Sequence, residues 1–390
     1  VLHRTCHLII ACGGTGGHFY PTFSVARRFC EYFRHDPEWG GAKATFLVSG
    51  KHAAEQKRIV ESNGFDARIV DAVRLPGSPL GLPGFAWRFW RCRRQAGRIL
   101  RELDGDVMLS MGSYAAAPAS HAWPSGRRPL VLHEGNTVMG RANRWMVSHA
   151  CGVALTLPLA DPAQLKGRPS RITGMPLREE LLAGAREAPS ESAREALCAD
   201  FGLDPSRRTV LAFGGSQGAQ AINRLLQESA AKLRDFSGRL QFIILTGQTD
   251  NQQMQSAFEQ AGILARICQS DPEIGKCYGL ADLVICRGGA SSLCEIALFG
   301  KPMVIIPLPS AADNHQYYNA MAFVQANAAR LLPQSEANAE RLRQLLADWL
   351  DDPGRWRQMG GNARKLACPD ATDRVARMLV DAVKDNAGQR

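Results

Sequence analysis

The chain has 390 residues, 45% of them hydrophobic and 22% charged, with a formal net charge of +10. That length suits two domains, each large enough to bury its own core. The absence of any run of about 18 apolar residues excludes a membrane-spanning helix from the sequence pattern.

The charge is uneven. Residues 1–177 carry 23 Lys and Arg against 12 Asp and Glu, a surplus of 11, while the remainder carries 24 against 25. An acidic partner for the first half is expected, but no helix-turn-helix, zinc-finger or RNA-binding signature accompanies the charge. We therefore expect no nucleic acid and keep an anionic membrane surface. The eleven cysteines show no paired C-x-x-C spacing. They read as buried free thiols, with no metal site. Residues 1–11 read as a strand entering a glycine loop and lack a signal-peptide cleavage pattern, so the expected compartment is the cytoplasm.

In chain order, His7–Cys12 is a short apolar run of the kind a buried parallel strand shows. It ends in Gly13-Gly14-Thr15-Gly16-Gly17-His18, and Pro21–Tyr32 reads as a helix. Four glycines in five residues let backbone amides approach a diphosphate with no Cβ in the way. The spacing is neither that of a Walker loop nor the strict dinucleotide fingerprint. Strands at Ala44–Val48 and Ala67–Val70 then alternate with a helix at Ala53–Asn63, which implies a parallel sheet with crossover helices.

The segment from Leu75 to Leu103 opens as a Pro/Gly-rich apolar loop and continues as a helix through Arg101. Phe85, Phe89, Cys92, Ala96, Ile99 and Leu103 fall on one face as the core stripe. Trp87 and Trp90 point the other way, among Arg91, Arg94, Arg98 and Arg101. A membrane interface accommodates both residue types, indole at headgroup depth and guanidinium on lipid phosphate. A subunit contact or simple cation–π pairing is the alternative. Strands at Val107–Ser110 and Leu130–Leu132 follow, ending in Met111-Gly112-Ser113-Tyr114 and His133-Glu134-Gly135-Asn136. Strand ends of an open parallel sheet share the edge where ligands bind.

Pro-containing residues 155–171 read as a linker and Ile172–Arg178 as a hinge. After a polar stretch to Asp200, helical or loosely ordered, the pattern restarts. Thr209–Phe213 is a strand, Gly214-Gly215-Ser216-Gln217-Gly218 a loop, and Ala219–Leu233 a helix. A further strand at Gln241–Leu245 precedes the most informative stretch. There Leu283–Ile285 feeds Arg287-Gly288-Gly289 and a helix containing Glu295, and Met303–Pro307 ends in the polar run Asp313-Asn314-His315-Gln316. Open amides at a helix start, a carboxylate one turn inside and amide side chains nearby outline a nucleotide-sugar pocket. The tail from Glu340 is helical, broken at Pro369–Asp373, with a last helix from Arg374 to Val383.

These stretches, with Gly174–Arg178 and Pro369–Ala376, occur in the order found in the MurG family of bacterial cell-wall glycosyltransferases, which the chain resembles over nearly its whole length. The resemblance implies an α/β GT-B fold of two Rossmann-like, doubly wound domains facing a cleft. Residues 1–177, with the C-terminal helix of 369–390 packing back on them, would form the acceptor- and membrane-binding domain, and 178–368 the donor domain. It implies inverting transfer of N-acetylglucosamine from UDP-N-acetylglucosamine (UDP-GlcNAc) to the 4-hydroxyl of undecaprenyl-diphospho-N-acetylmuramoyl-pentapeptide, lipid I to lipid II. The work would be done peripherally, at the cytoplasmic face of the inner membrane.

By the same resemblance the donor side comprises Arg178, Gly215, Ser216, Gln217, Glu295 and Gln316, with Thr15, Gly16, Gly17 and Asn136 contributing from the first half. Gly13, Gly14 and Tyr114 lie on the acceptor side, beside His18 and Glu134. His18 is the first candidate for general base, since its unperturbed pKa lies near working pH, and Glu134 the second. Neither metal nor cofactor is expected. The family's His-Glu-Gln-Asn, Gln-Gln and Gly-Gly-Tyr are here His133-Glu134-Gly135-Asn136, His315-Gln316 and Gly112-Ser113-Tyr114. These departures touch fine substrate contacts. The alternatives are another GT-B lipid glycosyltransferase, a UDP-GlcNAc 2-epimerase, or a non-catalytic cell-wall scaffold.

Overall fold

The computed structural model of the chain describes residues 4–13, 19–76, 78–186, 190–214, 220–248 and 251–388. It divides into two compact units, one of residues 1–178 with 368–390 and one of residues 179–367.

The first unit is built on a seven-stranded sheet in the order β3-β2-β1-β4-β5-β6-β7. Its strands are β1 (Cys6–Gly13), β2 (Ala42–Ser49), β3 (Asp66–Ile69), β4 (Val107–Ser110), β5 (Leu130–Glu134), β6 (Gly152–Leu155) and β7 (Ser170–Ile172). Every pairing is parallel. β1 is buried along its whole length, as its unbroken apolar run requires of a central strand covered on both faces. The strand order reverses between β1 and β4, which makes their C-terminal ends the topological switch point.

β6 ends at Leu155, where the stretch expected to be a linker begins, and β7 lies at the end of that stretch. β6 is buried but only four residues long, and β7 is three residues long and exposed throughout, so neither stood out as a strand. The helix expected after Pro83 begins at Leu82 and runs to Leu103. Pro83 fits because the first helical N–H groups need no partner within the helix. Its buried face is Phe89, Cys92, Ala96 and Leu100, whereas Phe85, Ile99 and Leu103 are only half-buried. The stripe is thus narrower than expected and shifted by one position at its C-terminal end.

The last helix spans Ala371–Gly388, longer than the expected 374–383, and packs on the helix Pro21–Phe33. Val375, Met378, Leu379 and Val383 join the core that contains Leu8 and Ile10 of β1. Polar contacts fix the same junction. Asp373 accepts from Arg28 Nε and from the Tyr32 hydroxyl, both at 2.7 Å, and Lys384 pairs with Asp36 at 2.8 Å. Gly174 (φ +82°) is pressed against the start of this return, where a Cβ would lie 2.3 Å from that of Cys368.

The second unit repeats the plan with six parallel strands in the order β10-β9-β8-β11-β12-β13. They are β8 (Arg208–Phe213), β9 (Leu240–Leu245), β10 (Ala265–Cys268), β11 (Leu283–Cys286), β12 (Met303–Ile305) and β13 (Ala329–Leu331). The reversal here falls between β8 and β11. Residues 179–184 and 191–201 are helical. The cysteines are not uniformly buried, contrary to expectation: Cys151 is exposed, and Cys30, Cys268, Cys294 and Cys368 are half-buried. Burial pushes the Cys12 thiol up to about 12.

Candidate active site

In the first unit, three strand ends meet at the switch point. Gly13 closes β1 at φ +132°, and a Cβ there would stand 2.6 Å from the Ser49 carbonyl oxygen and 3.3 Å from Ala115 Cβ. Only glycine lets β1 end between its two neighbours this closely. Tyr114 lies in the first turn of the helix Ser113–Ala122. Its hydroxyl leans back over the end of β2, 2.9 Å from the place a Cβ on Gly50 would take. The Arg74 guanidinium lies 4.8 Å from the centre of the Tyr114 ring, with Nη2 3.4 Å from the hydroxyl. Gly14, Thr15, Gly16, Gly17 and His18 lie outside the described residues.

Glu134 ends β5 and is only 2% exposed. Its Oε1 accepts from the Asn136 backbone N–H at 2.9 Å and from Asn136 Nδ2 at 3.3 Å, while Oε2 accepts from the Gly140 N–H at 2.8 Å and from Asn143 Nδ2 at 2.9 Å. Four donors satisfy a buried carboxylate that would otherwise be costly to hold away from water. The result is a fixed loop that carries half-buried Asn136. Asn143 was not singled out in the sequence, since nothing in its local pattern marks it.

Arg178 is the last residue of this unit and is half-buried, its guanidinium 5.9 Å from the centre of the Tyr20 ring. On the helix Leu82–Leu103, Trp87 and Trp90 are 58% and 47% exposed. Arg91 stacks over Trp87 at 4.9 Å and Arg94 over Trp90 at 4.7 Å, the neighbours that i,i+4 spacing brings together. Leu75, Leu80, Leu82 and Trp145 are also exposed.

In the second unit the helix Ala290–Leu298, with Gly289 at its N-cap, follows β11 after a short turn, so its first amides open at the strand-end edge. Glu295 sits one turn inside, and the buried Tyr278 hydroxyl donates to its Oε2 at 2.9 Å. Burial first, and then the neighbouring carboxylate, push the Tyr278 phenol well above its ordinary value. It stays protonated and keeps orienting Glu295. Gln316 Oε1 accepts from the Leu308 N–H at 3.0 Å, which fixes the oxygen end of the side chain on the backbone. Gly288 backs directly on this element: a Cβ would stand 2.2 Å from the Gln316 carbonyl oxygen. Asn319 Nδ2 donates to the Gly288 carbonyl at 3.0 Å, and Arg287 donates to the Ile306 and Pro307 carbonyls. β11 and the Gln316 helix are therefore locked together. Gly215, Ser216 and Gln217 lie outside the described residues. Tyr278 was missed because it precedes Glu295 by 17 residues and sits in an unremarkable apolar helix.

Two family models account for most of the chain: the glycosyltransferase family 28 N-terminal domain over residues 8–155 and the family 28 C-terminal domain over residues 209–375. With two parallel-sheet α/β units, the molecule is of the GT-B glycosyltransferase class. A crystal structure of Acinetobacter baumannii MurG is similar at a TM-score of 0.74 and 25% identity, covering 97% of this chain and all of that one. Curated UDP-N-acetylglucosamine–N-acetylmuramyl-(pentapeptide) pyrophosphoryl-undecaprenol N-acetylglucosamine transferases are similar at full length. The Geobacter sulfurreducens enzyme is 31% identical over 97% of this chain and 99% of its own, and that of Coxiella burnetii 34% over 94% and 96%. The chain belongs to this MurG family. A UDP-GlcNAc 2-epimerase from Neisseria meningitidis, at 10% identity and a TM-score of 0.65, shares the fold alone.

Proposed function

We propose that this chain transfers N-acetylglucosamine from UDP-GlcNAc to the 4-hydroxyl of the muramoyl sugar of undecaprenyl-diphospho-N-acetylmuramoyl-pentapeptide, converting lipid I into lipid II. The observation that carries this is likeness over nearly the whole chain, at 31–34%, to enzymes named for that transfer. The acceptor oxygen attacks C1 of N-acetylglucosamine and the C1–O bond to the β-phosphate breaks, with its electron pair leaving on UDP. Attack opposite the leaving group inverts C1 to a β-link. The hydroxyl proton passes to a general base, for which His18 is our assignment. Glu134 is the second candidate, but both its oxygens already accept two hydrogen bonds. That geometry favours holding Asn136 in place over taking a proton. Charge gathering on UDP is stabilised by amides at helix starts of the second unit, and Gly215, Ser216 and Gln217 are our choice for the diphosphate.

Glu295 is our ligand for the ribose hydroxyls and Gln316 for the sugar hydroxyls, with Arg178 beside the nucleotide. Glu295→Ala is expected to weaken UDP binding by roughly 10- to 100-fold, the worth of a hydrogen-bond pair to a charged group. Tyr278→Phe keeps the carboxylate and loses only its orienting bond, so about five-fold is expected. Calorimetric titration with UDP checks both, and equal affinity of Glu295→Ala and the parent would refute the ribose assignment.

We place the enzyme peripherally at the cytoplasmic face of the inner membrane, docked by Trp87 and Trp90 with Arg91 and Arg94 on anionic lipid. Among the described residues no helix is long and apolar enough to cross a membrane. Replacing both tryptophans by alanine is expected to weaken binding to anionic vesicles at least about tenfold, since two half-exposed indoles lose their interfacial burial. Sedimentation with vesicles of phosphatidylglycerol and phosphatidylcholine measures it, and undiminished binding would remove this face from the account.

The function itself is tested by UDP release. Release that requires the lipid-linked acceptor supports transfer. Conversion of UDP-GlcNAc to its 2-epimer without acceptor would support the epimerase alternative.

A further inference from the structure

Arg74 follows β3, the edge strand of the first sheet, and β3 lies three positions from β4. At about 4.8 Å per strand the two are roughly 14 Å apart, yet Arg74 touches Tyr114, which follows β4. They meet because the Tyr114 hydroxyl leans over Gly50 at the end of β2, while the segment after β3 turns back towards it. Arg74 is thereby held over the strand ends that flank Gly13. Its guanidinium is exposed, and among the described residues it forms no ion pair. Stacking on an aromatic ring contributes only about 0.5–1 kcal/mol at an exposed site, so the contact orients the guanidinium and leaves its charge uncompensated. A planar, permanently charged fork is the side chain best suited to phosphate oxygens.

We propose that Arg74, steered by Tyr114, is a ligand for the diphosphate of the lipid-linked acceptor. This rests on the transfer reading above and adds a residue to its acceptor side. Two phosphates bridging a lipid and a sugar carry two negative charges. Arg74 brings a full positive charge to that edge from a different loop. An acceptor without its diphosphate would lose this contact, which makes Arg74 a determinant of acceptor class.

The test uses the full chain with a short-chain, water-dispersible muramoyl-pentapeptide diphosphate acceptor and no added lipid. Arg74→Ala is expected to raise the acceptor KM roughly 10- to 100-fold, with the UDP-GlcNAc KM and the thermal midpoint unchanged, and Arg74→Lys is expected to recover part of the loss. An equal rise in both KM values, or no rescue by lysine together with a lowered midpoint, would mean a structural role and overturn the inference. So would a defect seen only with anionic vesicles, since the phosphate bound would then be a headgroup. Absence of acceptor turnover by the unmodified chain would overturn the transfer reading itself, and this inference with it.

Discussion

His18→Ala is expected to lower kcat by about 10²- to 10⁴-fold, the usual worth of a positioned general base, while UDP-GlcNAc binds as before. The 4-hydroxyl of the muramoyl sugar is a weak nucleophile, and its proton must leave as the bond to C1 forms. In the sequence, His18 ends the glycine run that follows β1. An unperturbed imidazole titrates close to working pH, so it can accept the proton and release it again. Because no donor contact is assigned to the His18 side chain, removing the imidazole should leave the donor dissociation constant unaltered. Steady-state kinetics with titration of UDP-GlcNAc separates the two quantities. Parallel losses in turnover and donor affinity would remove His18 from the role of base.

Gly288→Ala should cost the second unit about 3 kcal/mol or more and abolish tight UDP-GlcNAc binding. Overpacking of a close contact typically costs 1–3 kcal/mol when side chains can yield. Here the obstacle is main chain. The new Cβ would stand 2.2 Å from the Gln316 carbonyl oxygen, 2.9 Å from its carbonyl carbon and 3.0 Å from its Cβ. Moving Gln316 would break the Asn319 bond to the Gly288 carbonyl and displace the amide proposed above for the sugar hydroxyls. Gly289→Ala provides the contrast, since a Cβ there meets nothing within 4 Å, and its unfolding midpoint should match the parent's. Thermal unfolding and UDP-GlcNAc titration of the two variants test the argument. It fails if Gly288→Ala unfolds and binds like the parent.

The two parallel sheets were legible because their central strands are unbroken apolar runs interrupted by glycine turns. Leu8–Cys12 and Val210–Phe213 could be read from neighbouring residues alone. β7, β10 and β13 could not. Each is three or four residues long, half-buried or exposed in large part, and pairs with one neighbour only at the sheet edge. A short edge strand is held by ladder bonds to that neighbour, and its own residues carry little pattern.

The site divides in the same way. Gly13, Glu134 and Gln316 stand at strand ends or a helix start, and Glu295 one turn inside a helix, where local sequence marks them. Tyr278, Asn143 and Arg74 act through contacts that only the folded sheet creates, across 17, 9 and 40 residues. The tryptophan face was legible from helical spacing. The pairing of each indole with the arginine four residues on shows how guanidinium and ring share that surface.

The most direct test of the whole account is transfer of radiolabelled N-acetylglucosamine from UDP-GlcNAc to a lipid-linked muramoyl-pentapeptide diphosphate, followed by analysis of the new linkage. The account predicts a labelled disaccharide joined β-1,4 to the muramoyl sugar, formed only when the acceptor is present. Saturable UDP-GlcNAc binding with no label on any lipid acceptor would contradict it, leaving a nucleotide-sugar-binding protein without transferase activity.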